Sequence, residues 1–572
     1  MRKFFALFLV LAMASMAWGG EVHDVYAAKG MVSSAHELAS KAGVEILQKG
    51  GNAVDAAIAT WLALNVVEFN ASGIGGGGFM VIRNAKTGDV VELDYREVAP
   101  ASATKDMYAS EASKKAKESI DGGKSIGVPG AVAGMFTALE KYGTMSFAQV
   151  AAPAIRLAEE GFVLAPMQNQ IIADEFERLT KYSPNCAFLV DGLPAEAGTL
   201  LKQPELAATF RMLAKEGPSA FYKGAIGHAV VSAVAAAGGY MTIQDLKDYK
   251  VEVRTPVKGT YRGYTIYSTP PASSGGTHIV QLLNIMENFP VAEMGHNTPR
   301  FLHVLAEAMK KIYADRQKYM ADTAFVKNVP LEGLTSKAYA KKLADSIVLN
   351  KVSKEVKPGD PAAFAGGKNK KKKAYLAGGG DERISTSSFS VVDAYGNIVA
   401  STNTVNYFMG SAVVVPGYGF VLNDEMDDFA QDPKSVNAPE PGKRPLSSMS
   451  PTIVIDPEGR PFMTLGSAGA TRIITAVSQI IMNVVDFGMT MDQAIEQPRI
   501  FNVASNGKAG KLLLEQGIAP DTVKALQGLG HEVEEREFSG YFGTAQGILF
   551  DHKNACMDGG ADSRRLGVPV GF

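Results

Sequence analysis

The chain of 572 residues is interrupted by a tract that cannot contribute to a core. Between Ala362 and Asp381 it carries Gly366-Gly367, the run Lys368-Asn-Lys-Lys-Lys-Lys373 and Gly378-Gly-Gly380. Such sequence has little apolar surface to bury against the entropy of ordering it, so it reads as a solvated surface loop. Immediately beyond it, Asp381-Glu-Arg-Ile-Ser-Thr386 turns abruptly into strand-like sequence. A tether that ends at a strand is the arrangement expected where a chain is cut and its old end must move away. Two strand-like runs follow, Ser388 to Asp393 and Ile398 to Asn406, joined by Ala394-Tyr-Gly-Asn397, and they predict a hairpin. A turn centred on Tyr395 sets residue 386 opposite residue 404, which brings Thr404 and Asn406 next to Thr386.

Upstream, apolar positions at helical spacing predict a helix from Ser34 to Gly50 and a second from Asn52 to Val66, with Asn52 as its cap. The cluster Gly73 to Gly78 leads into the β-like runs Phe79–Arg83 and Val90–Asp94. A dinucleotide fingerprint follows a strand and opens a helix, so this cluster is read as a packed turn. Helical sequence dominates from Met145 to Gly239, β-like sequence returns from Val251 to Ser268, and the middle third is again helical. Residues 1–19 have the order of a secretory leader, Arg2-Lys3, an apolar run from Phe4 to Ala14 and then small residues, which implies a periplasmic or secreted protein with no membrane span after removal. Acidic and basic residues nearly cancel, 59 against 57, so no global field points to nucleic acid or to an anionic membrane. Only two cysteines occur, Cys186 and Cys556, and they read as isolated thiols. No HExxH, CxxC or P-loop is present, and neither a metal nor an organic cofactor is expected.

The stretch Thr386-Ser-Ser-Phe-Ser-Val-Val-Asp393 resembles the start of the small subunit of γ-glutamyltransferases, which are N-terminal nucleophile hydrolases. The resemblance continues through Leu422-Asn-Asp-Glu-Met-Asp-Asp-Phe429, Lys443-Arg-Pro-Leu-Ser-Ser-Met-Ser-Pro-Thr452 and Gly466-Ser-Ala-Gly-Ala-Thr-Arg472. In the first half it takes in Gly50-Gly-Asn-Ala-Val-Asp-Ala-Ala57, Asp94-Tyr-Arg-Glu-Val-Ala-Pro100, Ser125-Ile-Gly-Val-Pro-Gly130 and Pro270-Pro-Ala-Ser-Ser-Gly-Gly276. It implies an α+β fold, a four-layer αββα sandwich built jointly by a large subunit of residues 20–385 and a small subunit of residues 386–572.

The same resemblance assigns roles. Cleavage between Ser385 and Thr386 frees the amine of Thr386 as general base for its own hydroxyl, which suits a chain with no histidine between His303 and His531. Thr404 is expected to hydrogen-bond Thr386, and the amides of Gly469 and Ala470 to stabilise the oxyanion. Ala470 replaces a second glycine of many members; it keeps the amide and excludes a backbone conformation open only to glycine. Arg96 is the expected carboxylate clamp, helped by Ser447 and Ser448, while Asp428, Glu425 and Asn406 would accept an ammonium. For Arg96 the plain alternative is an ordinary surface ion pair with Asp94 or Glu97. Two further departures from the family are Ser387-Ser388, where threonine and histidine are common, and a short stretch from Ala430 to Gly442, which implies an open site without a lid. The expected substrates are γ-glutamyl amides such as glutathione, with water, amino acids or peptides as acceptors. The alternatives are an acylase for glutaryl β-lactams or poly-γ-glutamate, and an uncut, non-catalytic γ-glutamyl binder.

Overall fold

A computed structural model describes residues 24–365 and 385–572; the leader and the lysine run lie outside the described residues. The two helices expected near the start form as Glu37–Gln48 and Ala53–Val67. Asn52 caps the second, its side chain accepting from the amides of Val54 and Asp55 while Asp55 returns a bond to the Asn52 amide. That reciprocal box satisfies helix-end donors which would otherwise be buried without partners. Every residue of Ala53–Val67 is buried, so this helix lies inside the molecule and shows no polar face.

Two seven-stranded sheets form the centre. The first runs in the order Val568–Gly571, Met31–Ser34, Ser387–Val392, Ile398–Thr404, Gly77–Arg83, Val90–Asp94 and Glu252–Arg254, with every neighbouring pair antiparallel. The second runs Val25–Ala27, Cys556–Ala561, Thr544–Asp551, Pro461–Ala468, Thr452–Ile455, Tyr264–Ser268 and Val257–Tyr261, also antiparallel throughout. The sheets pack face to face, and Met31, Val81, Ala400, Ile453 and Ile548 fill part of the space between them. Glu37–Gln48 and Ala53–Val67 cover the first sheet, while Gly275–Met286, Ile473–Val485 and Met491–Glu496 cover the second. This is the expected αββα sandwich. Both seven-stranded sheets combine strands from either side of residue 386, so neither half of the chain can build the central sandwich alone. Cys186 and Cys556 are both free thiols.

The hairpin register is the one given by a turn at Tyr395: Ser387 pairs with Asn403 and Val392 with Ile398. The glycine cluster packs against the end of that hairpin. A Cβ at Gly76 would stand 1.9 Å from the Thr404 carbonyl oxygen and one at Gly75 would stand 2.1 Å from that of Val421, so backbone meets backbone where a side chain cannot fit. Gly76→Ala should therefore lower stability by about 3 kcal/mol or more, read as a shift of the denaturant midpoint at constant slope. A midpoint within experimental error of wild type would show that this contact is not tight in solution.

Candidate active site

Thr386 stands just before the strand Ser387–Val392, at the mouth of a cleft, with its backbone at φ +81. A β-branched residue is a clear outlier there, and such strain costs on the order of 1–3 kcal/mol. The Thr386 hydroxyl lies 3.0 Å from that of Thr404, which also accepts a hydrogen bond from the Asn406 amide at 2.8 Å. Behind the nucleophile, Arg565 donates to the Thr386 carbonyl at 2.7 Å and pairs with Glu68 at 3.1 Å, while Ser387 donates to the other Glu68 oxygen. Burial raises the Glu68 carboxyl above its usual range, and Arg565 and Ser387 work against that rise. Sequence reading did not find Glu68 or Arg565, because their partners are 319 and 179 residues away along the chain.

The strand Pro461–Ala468 ends at Gly469, with φ +123, and the chain then turns through Ala470–Arg472 into the helix Ile473–Val485. A Cβ at Gly469 would approach the Cα of Gly543 to 2.8 Å, so glycine is required there on two counts. Ala470 adopts φ +53, a left-handed conformation that glycine favours but that alanine can still occupy at about 1–2 kcal/mol. Its substitution for glycine therefore leaves the turn in place, at some local cost.

Arg96, 1% exposed, lines the same cleft as Thr386. Its guanidinium pairs with Glu425 and Asp428 rather than with Asp94 or at the surface, and Glu97 stands 3.7 Å away. Desolvation opposes its charge, and the close carboxylate partners Glu425 and Asp428 offset that and hold it protonated. Asn406 donates to the carbonyl of Asp424, and Asn437 donates to that of Asp428, fixing the acidic wall from two sides. Ser385, Thr386, Thr404, Asn406, Arg96, Glu425, Asp428, Ser447, Ser448 and Ala470 all line this one cleft; Gly469 adjoins it through Ala470. Arg316, Tyr407 and Thr471 also line it and were not singled out from sequence. None of its lining residues is a histidine or cysteine.

Among the described residues, one group could hold a metal ion, His303, Glu307 and His531, and none of the three lines the cleft. The two imidazoles are hydrogen-bonded to each other at 2.8 Å, and Glu307 is paired with Lys310. No helix among the described residues is long and apolar enough to cross a membrane.

The sandwich with a threonine at the head of a central strand defines an N-terminal nucleophile hydrolase architecture. The family model of Gamma-glutamyltranspeptidase matches residues 39–572, and the chain belongs to the γ-glutamyltranspeptidase family as one of its enzymes. It is 40% identical over 547 residues to the glutathione hydrolase proenzyme of Bacillus subtilis (strain 168), covering 95% of this chain and 91% of that protein. It is 41% identical over 537 residues to that of Escherichia coli (strain K12), covering 91% and 88%. Among solved structures, the cephalosporin acylase from Bacillus halodurans superposes with a TM-score of 0.84 at 28% identity, covering 99% of both chains.

Burial also sets a pH response. Both oxygens of Glu97 are buried without a hydrogen-bond partner, and desolvation pushes its pKa up to about 8 against the pull of Arg96. An unfolded glutamate titrates near 4.3, so the stability linked to the neutral folded carboxyl is fully present below that pH and is lost as pH rises through about 8. Glu97→Gln should flatten this decline: thermal midpoints of variant and wild type should lie closer together at pH 5 than at pH 9, where the variant gains. An unchanged difference across that range would contradict a neutral Glu97.

Proposed function

We propose that the chain cuts itself between Ser385 and Thr386 and then acts as a γ-glutamyl hydrolase and transferase, with glutathione as the type of substrate. The observation that carries this reading is the Thr386 hydroxyl, 3.0 Å from that of Thr404, in the same cleft as a guanidinium paired with two carboxylates. The names of the B. subtilis and E. coli relatives, glutathione hydrolase proenzymes, support it.

In the first reaction the Thr386 hydroxyl attacks the Ser385 carbonyl carbon, the peptide nitrogen leaves as the Thr386 amine, and water hydrolyses the ester to free the Ser385 carboxylate. The φ of +81 at Thr386 favours this step, because cleavage releases the strained backbone. Residues 386–572 then form a small subunit and the preceding residues a large one, held together by the shared sheets. In the second reaction the freed amine takes the hydroxyl proton as the oxygen attacks a γ-carbonyl. The amides of Gly469 and Ala470 receive the oxyanion, and the leaving amine departs with a proton. Water or the amine of an amino acid or peptide releases the acyl group. The leader supports export to the periplasm or medium.

The internal ion cluster is a template for the substrate's amino acid end. A carboxylate can replace Glu425 and Asp428 at Arg96, with Ser447 and Ser448 beside it, while the ammonium takes the released acids and Asn406. Glutaryl amides lack that ammonium, which disfavours the acylase reading despite the acylase among the structural neighbours.

Two measurements test this. Mass spectrometry of the wild type should give a fragment beginning at Thr386, and Thr386→Ala should stay intact and inactive. A wild type that also stays intact would leave the binder alternative standing. Asp428→Asn should lower kcat/KM on a γ-glutamyl anilide roughly 30- to 100-fold, the loss of a charged hydrogen bond, and change a glutaryl anilide by under about threefold. Equal losses on both would remove the ammonium role.

A further inference from the structure

The segment Pro270–Gly276 takes no part in the chemistry above, yet it is built against the cleft. Ser447 donates its amide to the Ala272 carbonyl at 3.1 Å, and the Ser447 carbonyl accepts from both the amide and the hydroxyl of Ser274, at 2.9 and 2.8 Å. A Cβ at Gly275 would lie 2.7 Å from the carbonyl oxygens of Ser448 and Met449, so the turn is pressed onto this loop. The helix Pro299–Tyr319 brings Arg316 to the same place, 8% exposed and lining the cleft. Its Nε donates to the Ser274 hydroxyl at 2.8 Å and its Nη2 to the Ser448 hydroxyl at 3.0 Å.

Two consequences follow from these contacts. First, the Ser448 hydroxyl accepts from Arg316 and the Ser447 hydroxyl accepts from the Met449 amide at 3.1 Å. A hydroxyl has one proton to give, and among the described residues no acceptor takes either one, so both are left to point at a ligand. Second, the two arginines of the cleft differ in their balance of charge. Arg96 already holds two carboxylates, whereas among the described residues no carboxylate forms an ion pair with Arg316, and Asp428 acts on it only through its field across the cleft. A buried guanidinium bonded only to neutral hydroxyls is unfavourable until an anion arrives.

We propose that Arg316 is a specificity-determining positioning residue: it fixes the Ser448 hydroxyl directly and the Ser447 backbone through Ser274, and it supplies a positive charge, with no ion-pair partner among the described residues, that selects a substrate carrying an α-carboxylate. The inference rests on the γ-glutamyl reading and deepens it. Arg316 does not touch the reacting carbonyl, so its loss acts on binding more than on turnover.

The test compares the processed wild type, Arg316→Gln and Arg316→Lys on a γ-glutamyl anilide and on its counterpart with an α-carboxamide. Wild type should prefer the carboxylate substrate by at least roughly 30-fold in kcat/KM. Arg316→Gln should raise KM for that substrate roughly 30- to 100-fold with kcat within about threefold, leave the carboxamide nearly unchanged, and so abolish the preference. Arg316→Lys, which keeps the charge but loses the fork, should fall between the two, and it carries the test alone if the glutamine variant does not fold. Adding Arg316→Gln to Ser448→Ala should cost less than the two changes summed, because one acts through the other. An unchanged KM in either variant, or an equal loss on both substrates, overturns the proposal. A wild type inactive on the γ-glutamyl anilide overturns the γ-glutamyl reading and this inference with it.

Discussion

The Asp393 carboxylate fixes the hairpin on which Thr386 and Thr404 meet. It accepts from the amides of Tyr395 and Asn397 at 2.9 and 3.0 Å and from the Asn397 side chain at 2.7 Å, which closes the turn between the two central strands. Its second oxygen also accepts from the Ala53 amide at 2.9 Å, tying that turn to the start of the buried helix Ala53–Val67. A slip of one residue in the hairpin would send every side chain to the opposite face. Thr386 would then face away from Thr404, and Ser388 and Ser390 would leave the space between the sheets. One buried, fully used acid at the far end of the hairpin thus determines which hydroxyl meets which at the near end, six paired residues away.

The cleft holds two kinds of buried charge that behave differently. On one side Arg96 pairs with Glu425 and Asp428, and desolvation raises the carboxyls of both Glu425 and Glu97 above their usual range. Such a cluster is costly to break by removing one member and inexpensive to exchange for a ligand with the same pair of charges. On the other side Arg316 is held by serine hydroxyls alone. On the proposed reading the first arrangement rewards a zwitterion, and the second its carboxylate in particular. Together they would separate an amino acid end from a simple dicarboxylic acyl group without any change in cavity shape.

The parts legible in the sequence were those governed by short-range rules. The hairpin register came from the position of one turn, the cap at Asn52 from the residue type before an apolar run, and the sandwich from a resemblance whose motifs span both halves. A surface ion pair of Arg96 with Asp94 or Glu97 is the plain local reading; Glu97 does stand 3.7 Å away, but Arg96 is buried and the acids that hydrogen-bond it lie 329 and 332 residues further on. Arg316 gave no signal, since a cation near the end of an amphipathic helix usually points to water. Its burial depends on Pro270–Gly276 closing over it from a different part of the chain. The left-handed backbone at Ala470 was equally hidden, because alanine carries no preference for it.

The arrangement of strands also explains how a chain can be cut at the centre of its fold and keep it. Ser387–Val392 is hydrogen-bonded on one side to Met31–Ser34 and on the other to Ile398–Thr404. The pairing with Ile398–Thr404 begins at Ser387, one residue after the proposed scissile bond. Breaking that bond therefore removes no rung of the ladder. It relieves the strained Thr386 backbone while Arg565 still grips the Thr386 carbonyl, so the new amine stays within reach of its own hydroxyl. The constraint that makes residue 386 uncomfortable in the intact chain is the same one that leaves it well placed once the chain is open.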